Sequence, residues 1–81
     1  MKVTQIRVYE GSKLIEICES LEEAKQVARE FIQESLNFEV QVYEVKSEWN
    51  AREDEIIDVE KTLVFEIEKY EDNTIEEFVK A

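Results

Sequence analysis

The sequence predicts an α+β domain, a ββαββ chain in which four strands make one sheet. One long helix packs on one face of that sheet, and a short helix closes the C-terminus. Three observations carry this expectation. Two alternating runs meet at the turn Gly11-Ser12, a helix start is written at Ser20, and two more strand-like runs follow the helix. The 81 residues fit a single domain, 1–81, with one small core.

The first strand is predicted at about 3–9 and the second at about 13–19. Gly11-Ser12 between them, with Gly first, suits a type II′ hairpin turn. That turn implies a register in which Glu10 faces Lys13, Tyr9 faces Leu14, Val8 faces Ile15, Arg7 faces Glu16 and Ile6 faces Ile17. Ser20 and Glu23 then form a capping box. Leu21, Ala24, Val27, Ala28, Phe31 and Ile32 recur at helical spacing as one apolar stripe, and Lys25, Gln26, Arg29, Glu30, Gln33 and Glu34 are expected to face water. Asn37 is a reasonable helix stop.

The third strand is predicted at about 38–45 and the fourth at about 57–70. The best register pairs Val42 with Leu63, Val40 with Phe65 and Phe38 with Ile67. It also sets Glu44 opposite Lys61, Trp49 opposite Ile56 and Glu39 against Glu66. The parity of the third strand shifts after Val42, which means either a bulge or apolar side chains on both faces. Phe31, Phe38 and Phe65 are expected in the core. The fourth strand, the longest and most apolar, is expected to be central. Lying parallel to the first strand it would give a β-grasp-like order, and an all-antiparallel order is the alternative. In the tail, Thr74 and Glu77 read as a second capping box, with Ile75, Phe78 and Val79 as the stripe of a short terminal helix.

Composition excludes several functions. With no histidine, the commonest general base and metal ligand are missing, and Gly11, the only glycine, cannot make a phosphate-cradling loop. The serines have no base to activate them, so no enzyme activity is expected. Glu53, Asp54, Glu55 and Asp58 offer hard oxygen donors, but lack the alternation and glycine of a calcium loop, so neither metal nor cofactor is expected. Cys18 stands alone and reads as a half-buried structural thiol in a reducing compartment. No signal peptide or membrane-length apolar run is present, and the expected location is cytoplasmic.

The net charge of −11 is uneven. Residues 1–37 carry five basic and seven acidic side chains, whereas 38–81 carry five basic and fourteen acidic ones. Such a surface repels nucleic acid and anionic membranes and favours a basic protein surface. The stretch SEWNAREDEIIDVEK, residues 47–61, concentrates this acid around the only Trp. Its predicted turn covers about 50–55. Tyr9, Tyr43, Trp49 and Tyr70 are expected on the sheet face away from the long helix. That face is available to the terminal helix, to a partner, or to a second copy of the chain.

In size, acidity and lack of catalytic residues the chain resembles the class of phage-encoded inhibitors that includes anti-CRISPR and anti-restriction DNA mimics. The resemblance is to a class and brings no residue positions with it. It implies a non-enzymatic inhibitor or regulator that binds a basic nucleic-acid-binding protein or nuclease, in the manner of a DNA mimic, rather than nucleic acid itself. The residues expected to touch that partner are Tyr43, Glu48, Trp49, Glu53, Asp54, Glu55, Asp58, Glu60, Glu66 and Glu68. The alternative is a small homodimeric interaction module using the aromatic sheet face, with acidity serving solubility. The chain is accordingly expected as a monomer or a homodimer.

Overall fold

The computed structural model describes residues 2–34 and 38–80. Strands β1 (Lys2–Glu10) and β2 (Lys13–Cys18) precede helix α1 (Leu21–Glu34), and β3 (Glu39–Asn50), β4 (Glu55–Lys69) and β5 (Ile75–Val79) follow it. They build one five-stranded sheet in the order β2-β1-β3-β4-β5, antiparallel throughout. Three expectations are thereby corrected. The sheet has five strands rather than four, the parallel β-grasp-like order is not adopted, and the central strand is β3 rather than β4.

The expected terminal helix is a strand. The pattern Ile-Glu-Glu-Phe-Val fits helical spacing better than strict alternation, but two helical turns are marginal without packing. Extended, the same residues pair with Phe65–Lys69 and saturate backbone groups that β4 would otherwise expose. The connection Glu71-Asp72-Asn73 is shaped for it. Asn73 N–H donates to Tyr70 O (2.9 Å), Tyr70 N–H donates to Thr74 O (2.8 Å), and Thr74 N–H donates to Asp72 Oδ1 (3.0 Å). Asn73 has φ 68°, the left-handed position that ends a three-residue hairpin loop and that Asn tolerates.

The first hairpin begins as its turn predicts. Gly11 carries φ 63°, and Glu10 pairs with Lys13 and Tyr9 with Leu14. Ile15 is then an extra residue, so Val8 meets Glu16, Arg7 meets Ile17 and Ile6 meets Cys18. The slip exchanges faces: Ile17 becomes exposed, and Cys18 is buried in the core rather than half-buried. Burial, and then the nearby Glu16 and Glu23, raise the thiol's pKa, which suits an inert side chain.

Between β3 and β4 two such bulges occur. Val40 pairs with Ile67 and Val42 with Phe65; Val64 is then extra, Tyr43 pairs with Leu63 and Glu44 with Thr62; Val59 is extra again, and Trp49 pairs with Ile56. The expected register is therefore right at the Trp49–Ile56 end and displaced by up to two residues toward the core. Glu39 faces Glu68, not Glu66. The bulge sits at the level where the sequence parity breaks, but its additional residue belongs to β4. Val64 and Phe65 are consecutive and both buried, which a regular strand does not allow when only one face is covered.

Helix α1 starts where expected. Ser20 Oγ accepts from Glu23 N–H (3.1 Å), and the Glu23 carboxylate accepts from Glu19 N–H (3.1 Å), one residue earlier than in the standard capping box. The stop expected at Asn37 lies outside the described residues. Ala24, Ala28 and Ile32, four apart, are fully buried against Val8, Val40, Val42, Phe65 and Ile67. The polar flank is not simply solvated as expected. Lys25 Nζ and Arg29 Cζ lie 5.6 and 6.0 Å from the Phe65 ring centroid, and Arg29 forms a two-pronged ion pair with Glu77 of β5 (2.7 and 2.8 Å). Phe38 is 53% exposed and not a core residue.

The radius of gyration is 14.1 Å, against about 12 Å for a compact chain of this length, and the long dimension is 51 Å. The excess comes from β3 and β4. Beyond Ile6, β1 no longer has β2 beside it, and β1, β3 and β4 continue as a three-stranded arm. The arm ends in the turn Ala51–Asp54, where the Asn50 side chain accepts from Arg52 N–H (3.0 Å) and Asp54 takes φ 54°.

Candidate functional site

The sheet face opposite α1 carries no helix. It holds a layer of long side chains instead. Arg7 donates to both Asp58 carboxylate oxygens (2.9 and 3.2 Å) and to Gln5 Oε1 (2.8 and 3.0 Å), and Ser47 Oγ donates to Asp58 Oδ1 (2.7 Å). Lys61 Nζ stands 4.2 Å from the Tyr9 ring centroid and 4.3 Å from that of Tyr43, and the two rings meet edge to face at 5.6 Å. Ser47, 2% exposed, and the fully buried Val45 lie on this face by register. The face is thus partly sealed by its own side chains.

The hydrogen bonds from Arg7 and then Ser47 hold the Asp58 carboxyl below its ordinary 3.8. A carboxylate with a depressed folded-state pKa stabilises the fold above its unfolded value, and the contribution disappears as pH falls through the folded value. Asp58→Asn is therefore expected to unfold at lower urea than the wild type at neutral pH. The gap should close as the pH is taken below 3.8. Paired urea titrations measure it, and a gap indifferent to acid would show that the pair contributes nothing.

The ten residues expected to touch a partner do not form one line. Tyr43, Asp58, Glu66 and Glu68 share the uncovered face with Trp49, but Asp58 is neutralised by Arg7, and Lys61 and Leu63 interrupt the row. Glu48 and Glu60 lie on the opposite side of the arm, each against a lysine: Lys2–Glu48 at 3.8 Å and Lys46–Glu60 at 3.7 Å. Such exposed pairs are worth little. Glu53, Asp54 and Glu55, at and beside the turn, make no ion pair among the described residues.

Two acidic patches result. One is the tip, Glu53–Glu55. The other lies at the far end of the uncovered face, where carboxylate oxygens of Glu39, Glu66 and Glu68 fall within 4.8 Å of one another. Tyr70 Oη lies 3.0 Å from Glu68 and 3.3 Å from Glu76 and donates into the same group. Its pKa is pushed up to about 12, first by the Glu68 hydrogen bond. Glu55 and Glu66 lie opposite Asn50 and Gln41, nine steps apart on β3, roughly 30 Å along a strand.

Among the described residues, exposed apolar side chains are most numerous near the tip, although Leu14, Ile17, Phe38 and Val79 are exposed elsewhere. Trp49 is 45% exposed, its partner Ile56 61%, and Val59 55%, with Ile57 beside them. Of these only Trp49 was expected as a contact residue; Ile56, Ile57 and Val59 were not. Nor were Arg7, Ser47 and Lys61, whose roles depend on contacts across strands. The consecutive apolar pair Ile56-Ile57 was a visible signal that both sides of the arm carry apolar groups.

In class, the molecule is a two-layer α+β protein with an antiparallel sheet, one covering helix and a projecting acidic arm. No protein family model, no curated protein and no solved structure matches the chain. Among the described residues, no helix is long and apolar enough to cross a membrane.

Proposed function

We propose that this chain is a non-enzymatic inhibitor or regulator whose arm docks on a basic surface of a nucleic-acid-binding protein or nuclease, occupying the place of nucleic acid. The observation that supports this best is the tip itself. Carboxylates without ion pairs at Glu53, Asp54 and Glu55 stand beside the exposed Trp49, Ile56 and Val59, on an arm that extends away from the core. Charge steers such an arm toward lysines and arginines arranged for phosphates, and the apolar residues slow its release. The second acidic patch adds reach. A separation of roughly 30 Å is a little under one turn of B-form DNA, about 34–36 Å.

Self-association through the aromatic face has less support, because Lys61 occupies the space over Tyr9 and Tyr43 and Arg7 is engaged by Asp58. The buried, lone Cys18 suits the reducing cytoplasm in which anti-CRISPR or anti-restriction targets act. Capture of lysate proteins on the immobilised chain tests the reading, with double-stranded DNA as competitor. Nucleic-acid-binding proteins should be retained, displaced by DNA, and lost steeply as salt rises. Retention that ignores both DNA and salt would sink the proposal.

A further inference from the structure

The arm leaves one long strand edge unpaired. Residues Glu55–Leu63 of β4 pair only with β3, because the β5 pairing begins at Phe65 and Lys80 N–H takes the carbonyl of Val64 (3.0 Å). Residues 55–62 are all exposed, so no other described element covers this edge. Along a strand edge, alternate N–H and C=O groups point outward and template another strand. The edge has no Pro and no Gly, and it carries Ile56, Ile57 and Val59 among Glu55, Asp58 and Glu60, with Lys61 as its one cation. The other outer edges, on β2, on β5 and on residues 2–5 of β1, are shorter, at six, five and four residues.

Charge selects the occupant. Residues 53–60 hold five acids and no basic side chain. A second copy would bring the same excess of acid to this edge, and each copy carries a net −11. A strand whose side chains alternate between basic and small apolar meets the opposite situation on both counts.

We infer that the Glu55–Leu63 edge of β4 accepts an extended basic segment of the partner as an added strand of the sheet. This rests on the functional reading above and refines it, since backbone pairing and not charge alone then defines the contact. The excess of acid, three carboxylates against the single Lys61, disfavours a copy of the same edge while leaving it open to a basic strand.

The test uses the isotopically labelled chain and a synthetic peptide as long as the edge, with Lys alternating with Val and Thr. A control peptide has the same side chains but two adjacent central backbone nitrogens methylated, which blocks both of its edges. With the unmodified peptide at ten times its Kd, exchange of the outward-pointing amides in Glu55–Leu63 should slow about tenfold. The methylated peptide should protect none of them. Equal binding of both peptides, or shifts confined to Glu53–Glu55 without amide protection, would overturn the edge inference and leave the docking of an acidic arm standing. Protection of the same amides on concentrating the chain alone would also overturn it, in favour of a second copy. Strand addition by the peptide, with no DNA-displaceable protein in the lysate capture, would support the edge and remove the functional reading.

Discussion

Phe65→Ala is expected to lower the free energy of unfolding by about 3–5 kcal/mol. A chain of this length has roughly 4–12 kcal/mol in total, so the variant should be marginal or unfolded at physiological temperature. Phe65 is the largest fully buried side chain. It lies opposite Val42 of β3 on one side and Val79 of β5 on the other, beneath Ala24 and Ala28 of the helix layer. Its ring also carries the flank of Lys25 and Arg29, and through Arg29 the ion pair to Glu77. Truncation leaves a cavity at the meeting point of helix, central sheet and last strand. Urea denaturation followed by far-UV circular dichroism measures the loss. The fluorescence of Trp49 is a poor reporter, because that residue sits on the arm. Phe65→Leu should cost distinctly less. A loss under about 1 kcal/mol for the alanine variant would mean that the core is not centred there.

Trp49→Ala should act on binding and barely on stability. The ring is 45% exposed and touches the arm rather than the core, so the stability change should stay under about 1 kcal/mol. If the tip anchors a partner, loss of its one large aromatic should cost about 2 kcal/mol or more of binding, roughly thirtyfold in Kd. Most of this should appear in the dissociation rate. Changing Glu53, Asp54 and Glu55 together to Gln, Asn and Gln should behave differently. Affinity should fall severalfold, through slower association and a shallower salt dependence. Surface plasmon resonance against a protein retained in the DNA-competed capture separates the two effects. If the tryptophan variant binds like wild type, the tip is not the contact.

The candidate site illustrates where sequence reasoning reaches and where it stops. Its turn and the Trp49–Ile56 pair were legible, because a hairpin must close somewhere and pairing Trp49 with Ile56 leaves the residues at 50–55 as the connection. Whether the acids of β4 make a continuous row was not. Glu60, Glu66 and Glu68 share parity, which suggests one face, yet the bulge at Val64 moves Glu60 to the other side. Asp58 reads as one more free carboxylate until Arg7, fifty-one residues away in the chain, is seen to hold it.

By itself, the sequence determined the elements whose stabilising contacts are local. Gly11 can adopt a positive φ without strain, so the first turn forms there. Ser20 and Glu23 satisfy helix N–H groups within one turn, and Ala24, Ala28 and Ile32 line one stripe whatever they pack against. The tertiary structure alone decided the rest. Whether Ile75–Val79 would coil or extend depended on the unpaired edge of Phe65–Lys69, a partner that the segment's own spacing does not reveal. The bulges at Ile15, Val59 and Val64 put side chains on faces that strict alternation would deny them, and they are favoured only because a helix covers one face and a layer of charged and aromatic side chains the other. Local hydrogen bonding and spacing act within a few residues, whereas strand order, register and the last strand depend on pairing energies between distant segments.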